Sequence, residues 1–117
     1  MNLCSIASGS SGNCIYIGTD KTNILIDAGI SAKQTQLGLQ MIGRSAEELD
    51  GILVTHEHSD HIRGIGVLTR KYKVPVYGTP GTIDAIKKCS SLGKLDHSLF
   101  HEIEADVNFQ IGDLEIA

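Results

Sequence analysis

Residues 52–62 read ILVTHEHSDHI, so three histidines, a glutamate and an aspartate follow directly on a run of aliphatic residues. His56 and His58 are two positions apart, and in an extended segment their side chains point the same way. We expect them to bind one metal ion, while Asp60 and His61 bind a second. Imidazole and carboxylate donors suit Zn²⁺, Mn²⁺ or Fe²⁺, and the lack of cysteine in the loop argues against a closed structural zinc site.

The loop does not match H-E-x-x-H, the helical motif of single-zinc metalloproteases. That motif would require a histidine at position 60, where this chain has Asp60. His58 and His61 are three apart and lack the following glutamate. If the loop is extended, Glu57 points away from His56 and His58, so we expect it to have a supporting role rather than a catalytic one.

The pattern of apolar residues around the loop predicts a mixed α/β fold. A meander of strands is followed by strands that alternate with helices. The strand before the loop, Gly51–Val54, is continuously aliphatic, as is typical of a strand buried on both faces. The expected strands are 3–7, 14–18, 23–27, 51–54 and 74–77, with further short strands over 99–116 and a turn at Gly112–Asp113. The expected helices are 32–42 (capped by Ser31), 62–72 and 82–89.

Composition limits the class of protein. The 117 residues are 41% hydrophobic and 21% charged, as expected of one globular domain. The formal net charge of −4 gives no global basic field for nucleic acid or membranes. The apolar runs are strand-sized and the first residues do not resemble a secretion signal, so we expect a cytoplasmic protein. Cys4 and Cys14 could face each other across the first hairpin, but reduced cysteines are the expectation.

The motif H-x-H-x-D-H behind an aliphatic strand, together with LIDAG at Leu25–Gly29, resembles the metallo-β-lactamase superfamily. Four segments, ASGSSGNC, LIDAGIS, LVTHEHSDHIRGIGVL and RKYKVPVYGTP, are similar to a bacterial branch encoded beside a cell-wall two-component regulator and implicated in DNA exonuclease activity. The resemblance implies a four-layer αββα sandwich of mixed sheets with flanking helices. It also implies a site for two divalent metal ions, Zn or Mn. Asp27 would orient a ligand from behind, and Asp60 would both bind metal and hydrogen-bond the attacking water.

The resemblance further implies later ligands, namely another histidine at a strand end, a bridging aspartate and a final histidine. His97 and His101 do not follow an aliphatic strand, so we expect them to be ordinary surface residues. Residues 1–117 are therefore expected to be the N-terminal half of the domain, by natural truncation or as a fragment, with an incomplete metal site that is empty or partly occupied. Half a sandwich leaves an aliphatic sheet face uncovered, so we also expect self-association.

Three functions remain open at this level. The first, implied mainly by the resemblance, is a phosphodiesterase or DNA exonuclease that uses a metal-activated water, with Ser10, Ser11 and Arg63 as possible phosphate contacts. Arg63 and Arg70 would share one helix face, although a solvated basic face needs no function. The second is a small-molecule thioester or lactone hydrolase. The third is a non-catalytic half-domain that acts by assembly.

Overall fold

A computed structural model describes residues 2–8, 12–56, 58–104 and 109–116, and it describes side chains at all of these positions except 2, 59, 60, 109 and 115. Within that part of the chain, six strands form a mixed sheet in the order β1-β2-β3-β4-β5-β6, and β7 pairs with β8 in a separate hairpin. The strands are β1 Asn2–Ala7, β2 Cys14–Gly18, β3 Asn23–Ile26, β4 Gly51–Leu53, β5 Val76–Gly78, β6 Phe100–Glu102, β7 Phe109–Ile111 and β8 Leu114–Ile116.

The strands change from antiparallel to parallel pairing at β3. β1, β2 and β3 form an antiparallel meander, whereas β3, β4, β5 and β6 run parallel to one another. The connections between the parallel strands contain the helices, which are α1 Ala32–Met41, α2 Ser59–Ile62, α3 Ile65–Tyr72 and α4 Pro80–Lys87, with 3-10 turns at Ala46–Glu48, Ser90–Leu92 and His97–Leu99. The mixed sheet with helices between parallel strands confirms the predicted α/β class.

The first helix was predicted closely. The hydroxyl of Ser31 accepts a hydrogen bond from the backbone N–H of Gln34 at 3.2 Å, which is the expected cap. The helix ends at Met41, and Gly43 follows with a φ of 76°, a backbone conformation that glycine adopts without cost.

The helix predicted over 62–72 was wrong in one respect, because the structure divides it into α2 and α3. The backbone N–H of Gly64 donates to the carbonyl of Ala28 at 2.7 Å instead of to a carbonyl four residues earlier. A Cβ at Gly64 would lie 2.5 Å from the carbonyl oxygen of Ile30, so only glycine lets the two segments approach this closely. A long-range hydrogen bond thus interrupts the helix, and hydrophobic periodicity carries no signal of it.

Smaller shifts occur at the next two elements. The strand predicted over 74–77 is β5, Val76–Gly78, because Lys73 ends α3 in a left-handed conformation with a φ of 57° and Val74 lies in the irregular segment that follows. The helix predicted over 82–89 begins earlier, at Pro80, and ends at Lys87. Proline is well suited to the first helical position, where no N–H donor is needed.

The cysteines carry free thiols, as expected. In the β1–β2 register, Cys4 lies opposite Tyr16 and Cys14 lies opposite Ala7. The two cysteines are therefore not cross-strand partners, and the alternative of a hairpin disulfide is wrong.

One face of the sheet packs against the helices and forms the main core. The buried sheet residues on this face include Tyr16, Leu25, Ile52 and Val76, and the helices add Leu39, Leu68, Ile83 and Ile86. Among the described helices, none is both long and apolar enough to cross a membrane.

The other face of the sheet is only partly covered. Ile24 is buried against Ile111 and Leu114 of the β7–β8 hairpin. A row of cross-strand neighbours on this face is only half-buried, namely Ile15, Ile26, Leu53 and Tyr77, and of these Ile26 and Tyr77 pack against the hairpin cluster. The prediction that β4 is buried on both faces is therefore wrong at Leu53, although Ile52 is fully buried.

Candidate metal centre

The parallel pairing of β3 and β4 brings two polar segments to one edge of the sheet. Asp27 follows β3, and the segment that begins with Thr55 follows β4. The backbone N–H of Asp27 donates to the carbonyl of Leu53 at 2.8 Å, which keeps the two chain segments together beyond the strand ends. Asp27 has a φ of 65°, a conformation that short polar residues tolerate better than others. This turn aims its carboxylate at the histidine loop.

Asp27 is 5% exposed, and its carboxylate accepts three hydrogen bonds. Oδ1 accepts from the backbone N–H of Thr55 at 2.8 Å. Oδ2 lies 2.7 Å from the Thr55 hydroxyl and 2.7 Å from Nδ1 of His61. The backbone fixes the same residue, since the carbonyl of His61 accepts from the N–H of Ala28 at 2.8 Å. His61 is therefore held at both its ring and its main chain.

The histidine rings lie close together at this edge. The centroids of His56 and His61 are 4.9 Å apart, and those of His56 and His58 are 6.2 Å apart. Nδ1 of His56 is 3.1 Å from the Thr55 hydroxyl. His56 and His58 are exposed and His61 is partly buried.

The chemistry of the donors at this edge suits a divalent metal ion. The contact between Nδ1 of His61 and a buried carboxylate is the usual device for orienting a metal-binding imidazole, because it places the ring lone pair on Nε2. If the His56 ring carries its hydrogen on Nδ1, the contact with Thr55 would likewise leave Nε2 of that ring for a metal ion. Asp27 contacts His61 from behind the ring, and its role in orienting a metal ligand stays a prediction.

His56, His58 and His61 lie at the expected edge, but the side chain of Asp60 falls outside the described part, as do Ser10, Ser11 and Glu57 entirely. Among the side chains that are described, no three of the His, Cys, Asp and Glu type gather into a metal-binding group. The convergence of His56, His58, Asp60 and His61 on metal therefore stays a prediction.

The basic helix face was predicted wrongly. Arg63 follows α2, whereas Arg70 lies on α3, so the two do not share one continuous helix. Nη1 of Arg70 donates to the carbonyls of Leu92 at 2.8 Å and Lys94 at 2.7 Å, which gives this arginine a structural role. Arg63 is exposed and directly follows the histidine loop, so it stays a possible phosphate contact.

The later histidines lie at the surface, as expected. His97 begins a 3-10 turn and His101 is in β6, where its ring stacks on Tyr77 with centroids 5.1 Å apart. Both side chains are exposed.

Sequence reasoning missed two residues near this site. Thr55 connects Asp27 to His56, and its only sequence signal is a hydroxyl at the end of the strand before the first histidine. Cys14 is fully buried, and desolvation, with a smaller contribution from the Asp27 charge, raises the pKa of its thiol to about 12. A lone strand cysteine gives no sign of this burial in the sequence.

The mixed sheet and the histidine loop after β4 are those of a metallo-β-lactamase type of domain, and the chain belongs to the metallo-beta-lactamase superfamily, whose family model matches residues 7–117. Of individual proteins, it is 47% identical over 111 residues to exodeoxyribonuclease WalJ of Streptococcus pneumoniae serotype 2, an alignment that covers 95% of this chain and 41% of that protein. It is 42% identical over 116 residues to exodeoxyribonuclease YycJ of Bacillus anthracis, covering 99% of this chain and 43% of the relative.

Solved structures agree on the fold. BJP-1, a subclass B3 metallo-beta-lactamase of Bradyrhizobium japonicum, superposes with a TM-score of 0.78 at 17% sequence identity, over 97% of this chain and 47% of the other. The chain thus spans about two-fifths of the length of the curated relatives it matches and about half of this structural neighbour.

Proposed function

We propose that this chain supplies the first set of metal ligands of a metal-dependent phosphodiesterase that degrades DNA from its ends. One observation carries the proposal, namely the buried Asp27 carboxylate bonded to both Thr55 and His61 at the edge where the histidine rings meet. The choice of DNA as substrate rests on the similarity to two proteins named exodeoxyribonucleases.

The proposed ligands divide into two groups. His56 and His58 would hold one divalent ion, Zn or Mn, and Asp60 with His61 a second. The bound ions would lower the pKa of a water molecule and stabilise negative charge on the phosphate. The remaining ligands of a complete site would come from sequence beyond these residues.

Side chains of the protein would orient the ligands, the attacking water and the phosphate. The Asp27 carboxylate contacts Nδ1 of His61 and would thereby leave Nε2 of that ring for a metal ion. Asp60 would accept a hydrogen bond from the attacking water and thereby orient it toward phosphorus. Arg63, together with Ser10 and Ser11, would contact phosphate oxygens and keep the scissile bond in place. Glu57 would support the loop without taking part in the reaction.

The experiment uses a chimera in which this chain replaces the matched segment of the Streptococcus pneumoniae relative. We expect the chimera to release nucleotides from end-labelled linear duplex DNA in the presence of Mn²⁺ and to leave covalently closed circles intact. A folded chimera that leaves linear DNA undigested, while the parent enzyme digests it, would contradict the proposal. Digestion of circles would contradict attack from DNA ends.

A matched pair of variants tests the roles within the loop. In the chimera, Asp60→Ala should reduce turnover by more than the roughly 10- to 100-fold expected when a residue behind a ligand is lost. Glu57→Ala should keep most of the activity. The assignment fails if Glu57→Ala is the inactive variant and Asp60→Ala keeps working.

Salt dependence separates DNA from the alternative substrates. Contacts to phosphates release counterions, so the apparent affinity for DNA should fall steeply as salt rises. A thioester or lactone substrate that turns over faster than DNA, with little salt dependence, would favour the small-molecule hydrolase instead.

A further inference from the structure

The hydroxyl of Thr55 lies between two groups that restrict where its single proton can go. On one side it is 2.7 Å from Oδ2 of Asp27, and on the other it is 3.1 Å from Nδ1 of His56. An ionised carboxylate can only accept a hydrogen bond, so the Thr55 proton must point to Asp27. The hydrogen bond to His56 then needs a proton from the imidazole, which places it on Nδ1.

We propose that Thr55 is a positioning residue that determines which ring nitrogen of His56 carries hydrogen. Its hydroxyl donates to the Asp27 carboxylate and therefore accepts a hydrogen bond from Nδ1 of His56. One carboxylate then sets the tautomer of two histidines, His61 by direct contact and His56 through the Thr55 hydroxyl. Both rings carry hydrogen on Nδ1 and present the lone pair of Nε2 at the same edge, with centroids 4.9 Å apart.

Thr55 makes two separate hydrogen bonds to Asp27, one from its backbone and one from its side chain. Its backbone N–H donates to Oδ1, and its hydroxyl donates to Oδ2. Removal of the hydroxyl alone leaves the backbone bond and the contact between Asp27 and His61 in place. The proposal therefore predicts that the two histidines respond differently to a change at Thr55, which a general loosening of the loop would not produce.

The first test is long-range ¹H–¹⁵N NMR of the metal-free 117-residue chain, which shows directly which ring nitrogen carries hydrogen. In the neutral form of each ring, the hydrogen of both His56 and His61 should be on Nδ1. In Thr55→Val, which keeps the branched shape, His56 should lose this preference while His61 keeps it. Thr55→Ser, which restores a hydroxyl, should restore the wild-type pattern at His56.

The second test is Asp27→Asn, which replaces a carboxylate oxygen that accepts hydrogen bonds by an amide group that donates them. Asparagine tolerates the left-handed backbone at this position. With its oxygen on the Thr55 N–H, the carboxamide presents N–H donors to the Thr55 hydroxyl and to Nδ1 of His61. The hydroxyl proton then turns toward His56. We expect both histidines to change to the tautomer with hydrogen on Nε2.

Metal affinity gives an independent readout. Calorimetric titration with Zn²⁺ alone should show Thr55→Val weakened by about 10- to 100-fold relative to Thr55→Ser, the usual effect of losing a partner behind a ligand. The inference rests on the metal site of the proposed function, but the tautomers are read without metal or substrate, so they can fail or hold independently of DNA hydrolysis. An unchanged His56 tautomer in folded Thr55→Val, or unchanged tautomers in folded Asp27→Asn, would overturn it.

Discussion

Replacement of Gly64 by alanine should destabilise the protein because Gly64 joins the histidine-bearing α2 to the segment after β3. A Cβ at this position would lie 2.5 Å from the carbonyl oxygen of Ile30 and 3.4 Å from that of Ala28. These are backbone atoms and cannot rotate away. The φ of Gly64 is −86°, so alanine meets no conformational penalty and the effect is purely steric.

The size of the effect follows from two contributions. Overpacking at a buried contact typically costs about 1–3 kcal/mol. A shift large enough to relieve the clash also stretches the 2.7 Å hydrogen bond from Gly64 to Ala28, which is worth about 1 kcal/mol. We therefore expect Gly64→Ala to lower the free energy of unfolding by roughly 2–4 kcal/mol, measured by urea denaturation.

Gly81 provides the matched control. It lies in α4, and a Cβ there would meet nothing within 4 Å. Gly81→Ala should stabilise the protein by roughly 0.5–1 kcal/mol through helix propensity. If Gly64→Ala stays within about 0.5 kcal/mol of the wild type, as an ordinary surface change would, the argument that this glycine fixes the junction is refuted.

Two further predictions concern the sheet and its buried thiol. We expect the chain to self-associate through the half-buried row around Leu53, because an uncovered apolar sheet face favours association. The variant Leu53→Glu should be monomeric in analytical ultracentrifugation. A wild-type chain that stays monomeric at high concentration would refute this prediction. The Cys14 pKa is raised from 9.0 to about 12, so above pH 9 the unfolded thiol loses a proton that the folded thiol keeps. Between pH 9 and pH 12, the free energy of unfolding of the wild type should therefore fall by up to about 1.4 kcal/mol per pH unit relative to that of Cys14→Ala. The measurement is urea denaturation of both proteins across this pH range. If their free energies of unfolding change in parallel with pH, the prediction is refuted.

The fold could be predicted largely from local signals. The alternating and continuous apolar runs gave the strands, and Ser31 marked the start of α1, because these signals lie within a few residues of the element they define. The division between α2 and α3 could not be predicted, since it depends on a hydrogen bond from Gly64 to Ala28 across 36 positions of sequence. The cover over Ile24 by the β7–β8 hairpin likewise depends on tertiary packing.

In the candidate site, too, the sequence predicts the features that depend on local spacing and misses those that depend on tertiary contacts. The spacing of the histidines and the position of Asp27 at a strand end were enough to place them at one edge of the sheet. The link through Thr55 was not predicted, because a threonine at the end of a strand is common and its hydroxyl has meaning only once Asp27 and His56 lie on either side of it. The prediction of a basic helix face was wrong because Arg63 and Arg70 lie on different helical segments and Arg70 donates to carbonyls more than twenty residues away.

The most direct test of the metal centre is to titrate the chain with Zn²⁺ while the ring nitrogens of its histidines are followed by ¹⁵N NMR. We predict that Nε2 of His56, His58 and His61 responds to the metal, that Nδ1 of His56 and His61 keeps its proton, and that dialysis against a chelator reverses the change. Zn²⁺ that leaves these three histidines unaffected, or that binds His61 through Nδ1 and displaces Asp27, would contradict the account.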